Sequence, residues 1–253
     1  MGKIITIANQ KGGVAKTTTA VNLAAWISLM GHRVLLVDMD PQGNATSGLG
    51  IAKEDLEYTV YDVLINGVQA ENVVVQSPVE NLFVLPSRID LAGAEIEMVG
   101  IEGREYLLKK VTGEIRDRYD MLIIDCPPSL GLLTINAMAA ADSVLIPIQC
   151  EFYALEGVGQ LINTISLVQE NINRDLQIEG VLLTMFDGRT NLSIQVVDEV
   201  KRYFKNKVYR SIVPRNVRLS EAPSHGKPVM VYDRRSKGAE VYQELAKEVL
   251  GID

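Results

Sequence analysis

Short apolar runs recur along the chain, and longer segments with helical spacing separate them. The runs Ile4–Ala8, Val34–Asp38, Leu82–Leu85, Met121–Asp125, Val144–Ile148, Ile178–Thr184 and Val208–Val213 are strand candidates. Most are continuously apolar instead of alternating, the pattern of strands covered on both faces. Helical spacing marks Thr17–Met30, closed by Gly31 as a C′ glycine, then Arg104–Arg118, Leu130–Ala141, Leu155–Asn171, Leu192–Phe204 and Gly238–Leu250. Strands alternating with helices predict an α/β fold with a doubly wound, mostly parallel sheet flanked by helices. No repeat or flexible linker interrupts the alternation, so residues 1–253 read as a single domain. Only Gly43–Ser77 lacks a clear period, and it reads as a surface excursion.

Between the first strand and the first helix lies Asn9-Gln10-Lys11-Gly12-Gly13-Val14-Ala15-Lys16-Thr17-Thr18. A strand, a glycine loop and a Lys-Thr pair opening a helix form a phosphate cradle. Backbone N–H groups converge at the helix N-terminus, where the dipole favours anions. Lys16 is positioned to neutralise β- and γ-phosphate oxygens, and the Thr17 hydroxyl to ligate Mg²⁺. The common G-x-x-x-x-G-K-[ST] pattern fails at Gln10 and Ala15; the variant Lys-Gly-Gly-x-x-Lys-[Ser/Thr] fits. If position 15 is left-handed, alanine there costs roughly 1–2 kcal/mol and is expected to weaken nucleotide binding or dimerisation.

Two aspartates follow apolar strands. Asp40, in Asp38-Met39-Asp40-Pro41-Gln42-Gly43-Asn44, leaves the carboxyl edge of a parallel strand, where ligands bind in open α/β sheets. It is a candidate to orient an attacking water and to contribute to a metal site. Asp125 ends Met121-Leu122-Ile123-Ile124 and is a candidate to hold Mg²⁺, with Cys126-Pro127-Pro128-Ser129 as the segment behind it.

With these loops in that order, the sequence resembles the deviant Walker A ATPases, the group containing ParA, MinD and the nitrogenase iron protein. The likeness runs nearly end to end and is closest to the small chromosomal Soj-type ParA proteins. It is carried also by Asp125-Cys126-Pro127-Pro128-Ser129-Leu130-Gly131 and by the string from Arg215-Asn216-Val217-Arg218 to Gly226-Lys227-Pro228. The resemblance implies an ATP- and Mg²⁺-dependent partitioning ATPase. Its nucleotide contacts would come from Lys11, Gly12, Gly13, Val14, Ala15, Lys16, Thr17 and Thr18, with Pro214 and Asn216 bordering adenine. Lys11, Lys16, Asp40 and Asp125 would carry hydrolysis, and Thr17, Asp40 and Asp125 the metal. It also implies that Lys11 reaches a partner's phosphates, so that ATP drives a homodimer. A ParB-type centromere-binding protein would stimulate hydrolysis, and a replication initiator is a further partner within the family's range. The extra N-terminal DNA-binding region of larger plasmid ParA proteins is not expected.

Rival readings fit less well. A MinD-like membrane ATPase needs a basic amphipathic C-terminal helix, but Tyr242–Asp253 carries more acid than base and reads as a docked helix. Cys126 and Cys150 match a cluster-bridging pattern poorly and read as buried free thiols of a reducing cytoplasm. A binding module whose hydrolysis Ala15 has impaired stays open. His32 and His225 read as structural residues. No apolar run reaches the roughly 18 residues of a membrane span, and the opening Met1-Gly2-Lys3-Ile4-Ile5, which enters polar residues by Asn9-Gln10-Lys11, is not expected to act as a signal peptide.

Charge changes the picture once it is divided. The 253 residues carry 25 Lys and Arg against 32 Asp and Glu, a net −7, which argues against a generic nucleic-acid binder. Yet Arg189–Lys237 holds 12 basic and 4 acidic residues, a net +8, leaving −15 on the rest. Arg189, Lys201, Arg202, Arg218, Lys227 and Arg235 are the candidates for non-specific contact with double-stranded DNA phosphates, which fits a nucleoid-associated cytoplasmic protein. Arg189 and Arg218 lead that set, because they match basic positions that Soj-like proteins use.

Overall fold

The computed structural model describes residues 2–151 and 156–252; the helix start expected at Leu155 lies outside them. Eight strands form one sheet: β1 (Lys3–Ile7), β2 (Val34–Asp38), β3 (Val75–Gln76), β4 (Leu82–Leu85), β5 (Met121–Asp125), β6 (Ser143–Gln149), β7 (Gln177–Phe186) and β8 (Val208–Pro214). Their order is β3-β4-β2-β5-β1-β6-β7-β8, and only the β3–β4 pairing is antiparallel. β2 and β5 are buried at every position, which explains their unbroken apolar sequence.

Helices cover both faces. On one side lie α1 (Lys16–Leu29), α2 (Asn44–Gly48), α9 (Val217–Glu221), α10 (Val229–Tyr232) and α11 (Lys237–Leu250); on the other, α3 (Val60–Ile65), α4 (Leu91–Glu97), α5 (Leu107–Ile115), α6 (Leu132–Ala140), α7 (Glu156–Asn171) and α8 (Asn191–Phe204). α1 is apolar around most of its circumference and is correspondingly sunk between the sheet and α11. It stops at Gly31, whose φ of 94° suits glycine alone; the following His32 N–H reaches back to the Ile27 carbonyl.

The segment Gly43–Ser77 is not a surface excursion. It contains α2, α3 and β3, and it buries Val60, Val63, Leu64, Ala70 and Val73 in the core. Its elements are too short to display a period, so tertiary burial defines them. α4 is hidden in the sequence for the same reason. The expected Arg104–Arg118 helix has an α-helical middle with a tight 3₁₀ turn at each end. Both cysteines are buried and free. Burial pushes the Cys150 thiol up to about 11 and the Cys126 thiol further.

Candidate nucleotide site

β1 stands inside the sheet with β5 on one side and β6 on the other, so the loop after it opens at the sheet's carboxyl edge. That loop is fixed from below and from the side. The Asn9 side chain donates to the Pro147 carbonyl at 2.7 Å and accepts the Lys11 N–H at 3.0 Å. The Thr184 hydroxyl donates to the Val14 carbonyl at 3.2 Å. Gly13 (φ 74°) and Ala15 (φ 69°, ψ 32°) both take the left-handed conformation. Position 15 is therefore the strained one that the sequence pointed to.

α1 begins directly after Ala15 with no side-chain cap and no acidic residue in its first turn. Its free N–H groups are left for an anion. Lys16 is 6% exposed and donates to the Lys11 carbonyl at 3.0 Å. Burial lowers its pKa, while Asp125, Cys126 and Asp40 pull it back up. A cleft of about 400 Å³ is lined by Gly12, Gly13, Lys16, Thr17, Asp40 and Asn44, among others. A second hollow of about 450 Å³ brings Pro214 and Asn216 together with Ala15 and Thr18. Ala15, Thr18 and Met185 line both, so the two adjoin. The Lys11 side chain lines neither.

Three aspartates gather under the cleft. Both Asp125 carboxylate oxygens are buried without a hydrogen-bond partner. Burial raises its pKa well above the usual carboxylate range, helped by Asp38 and Asp40 and opposed by Thr17 and Lys16. Asp38, its direct neighbour in the β2–β5 register, is also fully buried and raised chiefly by burial. Asp38 accepts the Thr46 N–H and hydroxyl, each at 2.8 Å, and so holds α2 against β2. Sequence reading passed over Asp38, although it closes an apolar strand just as Asp125 does. Asp40 accepts the Gln42 N–H through Oδ1 at 2.9 Å, and its carbonyl accepts the Ser87 hydroxyl at 2.8 Å.

The candidate DNA residues do not form one face. Arg189 and Arg218 follow the carboxyl ends of the neighbouring strands β7 and β8, whose loops touch through the Arg215 N–H and the Phe186 carbonyl at 3.1 Å. Each is in an ion pair: Arg189 with Asp187 at 2.6 Å, Arg218 with Glu221 at 2.8 Å and Asp233 at 3.2 Å. Lys201 and Arg202 end α8 on the opposite layer. They lie near the amino end of β7, where Lys207 donates to the Ile178 carbonyl. Lys227 lines a hollow beside α1 and α2, and Arg235 is exposed just before α11. Asn216 also caps α9 by accepting the Arg218 N–H at 2.9 Å.

A family model described as an AAA domain matches residues 2–178. The sporulation initiation inhibitor protein Soj of Bacillus subtilis is 64% identical over 249 residues, covering 98% of each chain. The chain belongs to the Soj/ParA family of chromosome-partitioning ATPases. The chromosome partitioning protein ParA of Myxococcus xanthus is 55% identical across the whole chain and 89% of its own length. Among solved structures, cobyrinic acid a,c-diamide synthase of Mycobacterium smegmatis, bound to an ATP analogue and magnesium, superposes with a TM-score of 0.89 at 41% identity. That superposition covers 99% of this chain and 94% of the other. The Soj/ParA fold thus extends to a protein named for different chemistry.

Proposed function

We propose that this Soj/ParA-family chain works as one ATPase domain that binds ATP with Mg²⁺, pairs as a nucleotide-sandwich dimer, holds DNA in that state and lets go after hydrolysis. The observation that carries the reading is the buried, unpartnered carboxylate of Asp125 beside Lys16, under an uncapped helix N-terminus. A buried carboxylate without a donor is costly, and a divalent cation relieves that cost. Thr17, Asp125 and Asp40 would hold the ion. When bound, magnesium supplies charge neutralisation across the β- and γ-phosphates.

The remaining steps belong to the chain's own groups. The free N–H groups of α1 and the Lys16 ammonium bind the phosphates. Asp40 orients the attacking water with the carboxylate oxygen that Gln42 leaves free, its backbone pinned by Ser87. Lys11, which does not line its own cleft, completes the site of the second protomer. Pro214 and Asn216 border the base. Arg189 and Arg218 contact DNA phosphates, and a dimer doubles those contacts and their avidity. A ParB-type protein accelerates hydrolysis, and the working location is the nucleoid in the cytoplasm. The apolar face of α11 is buried against α1 and β8, which disfavours a membrane-anchored alternative; no helix among the described residues is long and apolar enough to cross a membrane.

Sizing chromatography with ATP, ADP and no nucleotide, with and without DNA, tests the cycle. A dimer with ATP alone, retained on DNA, is the expected result. Identical elution under all three nucleotide conditions would overturn the reading.

A further inference from the structure

Helix α4 and the turn after it bury one face and leave the opposite face bare. Leu91, Ala94 and Met98 are fully buried in the core. Ile89 is 64% exposed, Ile96 78% and Val99 62%, with exposed Ala92 between them and exposed Glu97 beside them. The spacing 89, 92, 96, 99 is one helical stripe. Single exposed apolar residues are ordinary, but an unbroken stripe of them marks an interaction site.

The flanks of the stripe carry a net negative charge. Between Arg88 and Glu105 there are two arginines and five carboxylates, a net −3. Arg88 pairs with Asp90 and Arg104 with Glu105. Glu95 and Glu97, on either side of the stripe, have no cation partner among the described residues, and neither has Glu102. A second copy presenting the same acidic stripe would repel it, whereas a cationic amphipathic helix would complement it.

The same element touches both loops around the nucleotide cleft. Ser87, just before the stripe, donates its hydroxyl to the Asp40 carbonyl at 2.8 Å and its N–H to Thr46 Oγ1 at 3.0 Å. At the other end, Glu95 takes the place of the missing side-chain cap of α6. Its Oε1 accepts the Leu133 N–H at 3.4 Å and lies where any Cβ on Gly131 would collide with it.

We infer that the Ile89–Ala92–Ile96–Val99 stripe is the docking surface for a partner protein's amphipathic helical segment with basic flanks, and that Ser87 and Glu95 carry its docking to the Asp40 and Pro127–Gly131 loops. The docking half stands on the surface alone; the coupling half rests on the hydrolysis reading above.

The test uses the full chain and a fluorescently labelled 20-residue model peptide of leucine and lysine at helical amphipathic spacing. A matched peptide with glutamate for lysine serves as control. Anisotropy should show the lysine peptide binding and the glutamate peptide failing to bind. The Ile89→Ser/Ile96→Ser double variant should bind at least tenfold more weakly, and Glu97→Lys several-fold more weakly. Both changes lie at exposed positions, and circular dichroism should confirm unchanged folding. Equal peptide binding by the wild type and the double variant would overturn docking. If the double variant instead loses ATP-dependent dimerisation in sedimentation, the stripe is a self-interface and the inference falls. Docking that leaves hydrolysis of ATP unchanged removes the coupling half alone, and absent hydrolysis in the wild type without peptide or DNA counts against the ATPase reading instead.

Discussion

Ala15 holds a left-handed backbone that the protein's own hydrogen bonds fix: its carbonyl accepts the Thr19 N–H at 2.9 Å, and Thr184 holds the preceding Val14 carbonyl. The strain of roughly 1–2 kcal/mol therefore belongs to the fold and precedes any phosphate contact. A strain shared by the free and bound states acts on folding and not on affinity. Ala15→Gly should raise folding stability by up to about 1 kcal/mol, the gain being reduced by glycine's greater freedom when unfolded. Nucleotide affinity should stay within about twofold, as measured by calorimetric titration. A tenfold change in affinity would show that the loop relaxes in the free protein and would restore the expectation that alanine weakens binding. Asp125 supports a second prediction. Its folded-state pKa is raised, as is that of Asp38, so the folded chain holds protons that the unfolded chain releases. The stability this contributes is complete below the ordinary carboxylate pKa and is lost as pH rises through the folded values. Without nucleotide and metal, Asp125→Asn should be more stable than the wild type at pH 8 and lose that advantage at pH 4, in paired thermal melts. The same variant should fail to hydrolyse ATP.

At the scale of elements, β8 is an edge strand made safe by a side chain. The Glu248 carboxylate, from α11, accepts the Arg210 and Ser211 N–H groups at 2.8 Å each and the Ser211 hydroxyl at 2.6 Å. These donors lie where the β7–β8 register shifts and the ladder is irregular. Glu248→Ala leaves them without a protein acceptor and should cost about 1–3 kcal/mol by urea unfolding. Glu248→Gln, which keeps an acceptor, should recover part of that loss; equal loss in both would assign the effect to charge. α11 is tied down again where Tyr242 and Thr19 share a hydrogen bond of 3.0 Å in the core.

Across the whole molecule, the basic C-terminal stretch is divided by the sheet. Arg189 and Arg218 sit at the carboxyl end, beside the nucleotide loops, while Lys201 and Arg202 lie at the other end on the opposite layer. In the proposed nucleotide-sandwich dimer, the first pair would lie nearer the shared nucleotide sites than the second. Arg189→Ala and Arg218→Ala should each flatten the slope of log affinity against log salt by about 0.9 for every DNA phosphate left unneutralised, in filter binding with ATP. Lys201→Ala should flatten it less. An equal slope for the wild type and the double arginine variant would remove these residues from the DNA surface.

Much of this architecture was legible in the order of the residues. The seven longer strands were legible because most are apolar runs, unbroken where burial on both faces demands it, as in β2 and β5. The cleft was legible because Lys16, Thr17 and Asp40 follow strands at fixed places in the chain, and the fold lines one hollow with all three. The left-handed position at Ala15 was a matter of local backbone, and it too could be anticipated. What the chain order concealed was everything set by the meeting of distant segments. α2, α3 and α4 are too short to show a period and exist because their apolar residues find the core. Asp38 matters because β2 and β5 are neighbours, and Glu95 because α4 ends beside Gly131. The +8 stretch is one segment in sequence and two surfaces in space. Local chemistry repeats along the chain and can be read there, whereas burial and charge proximity are properties of pairs that only folding brings together.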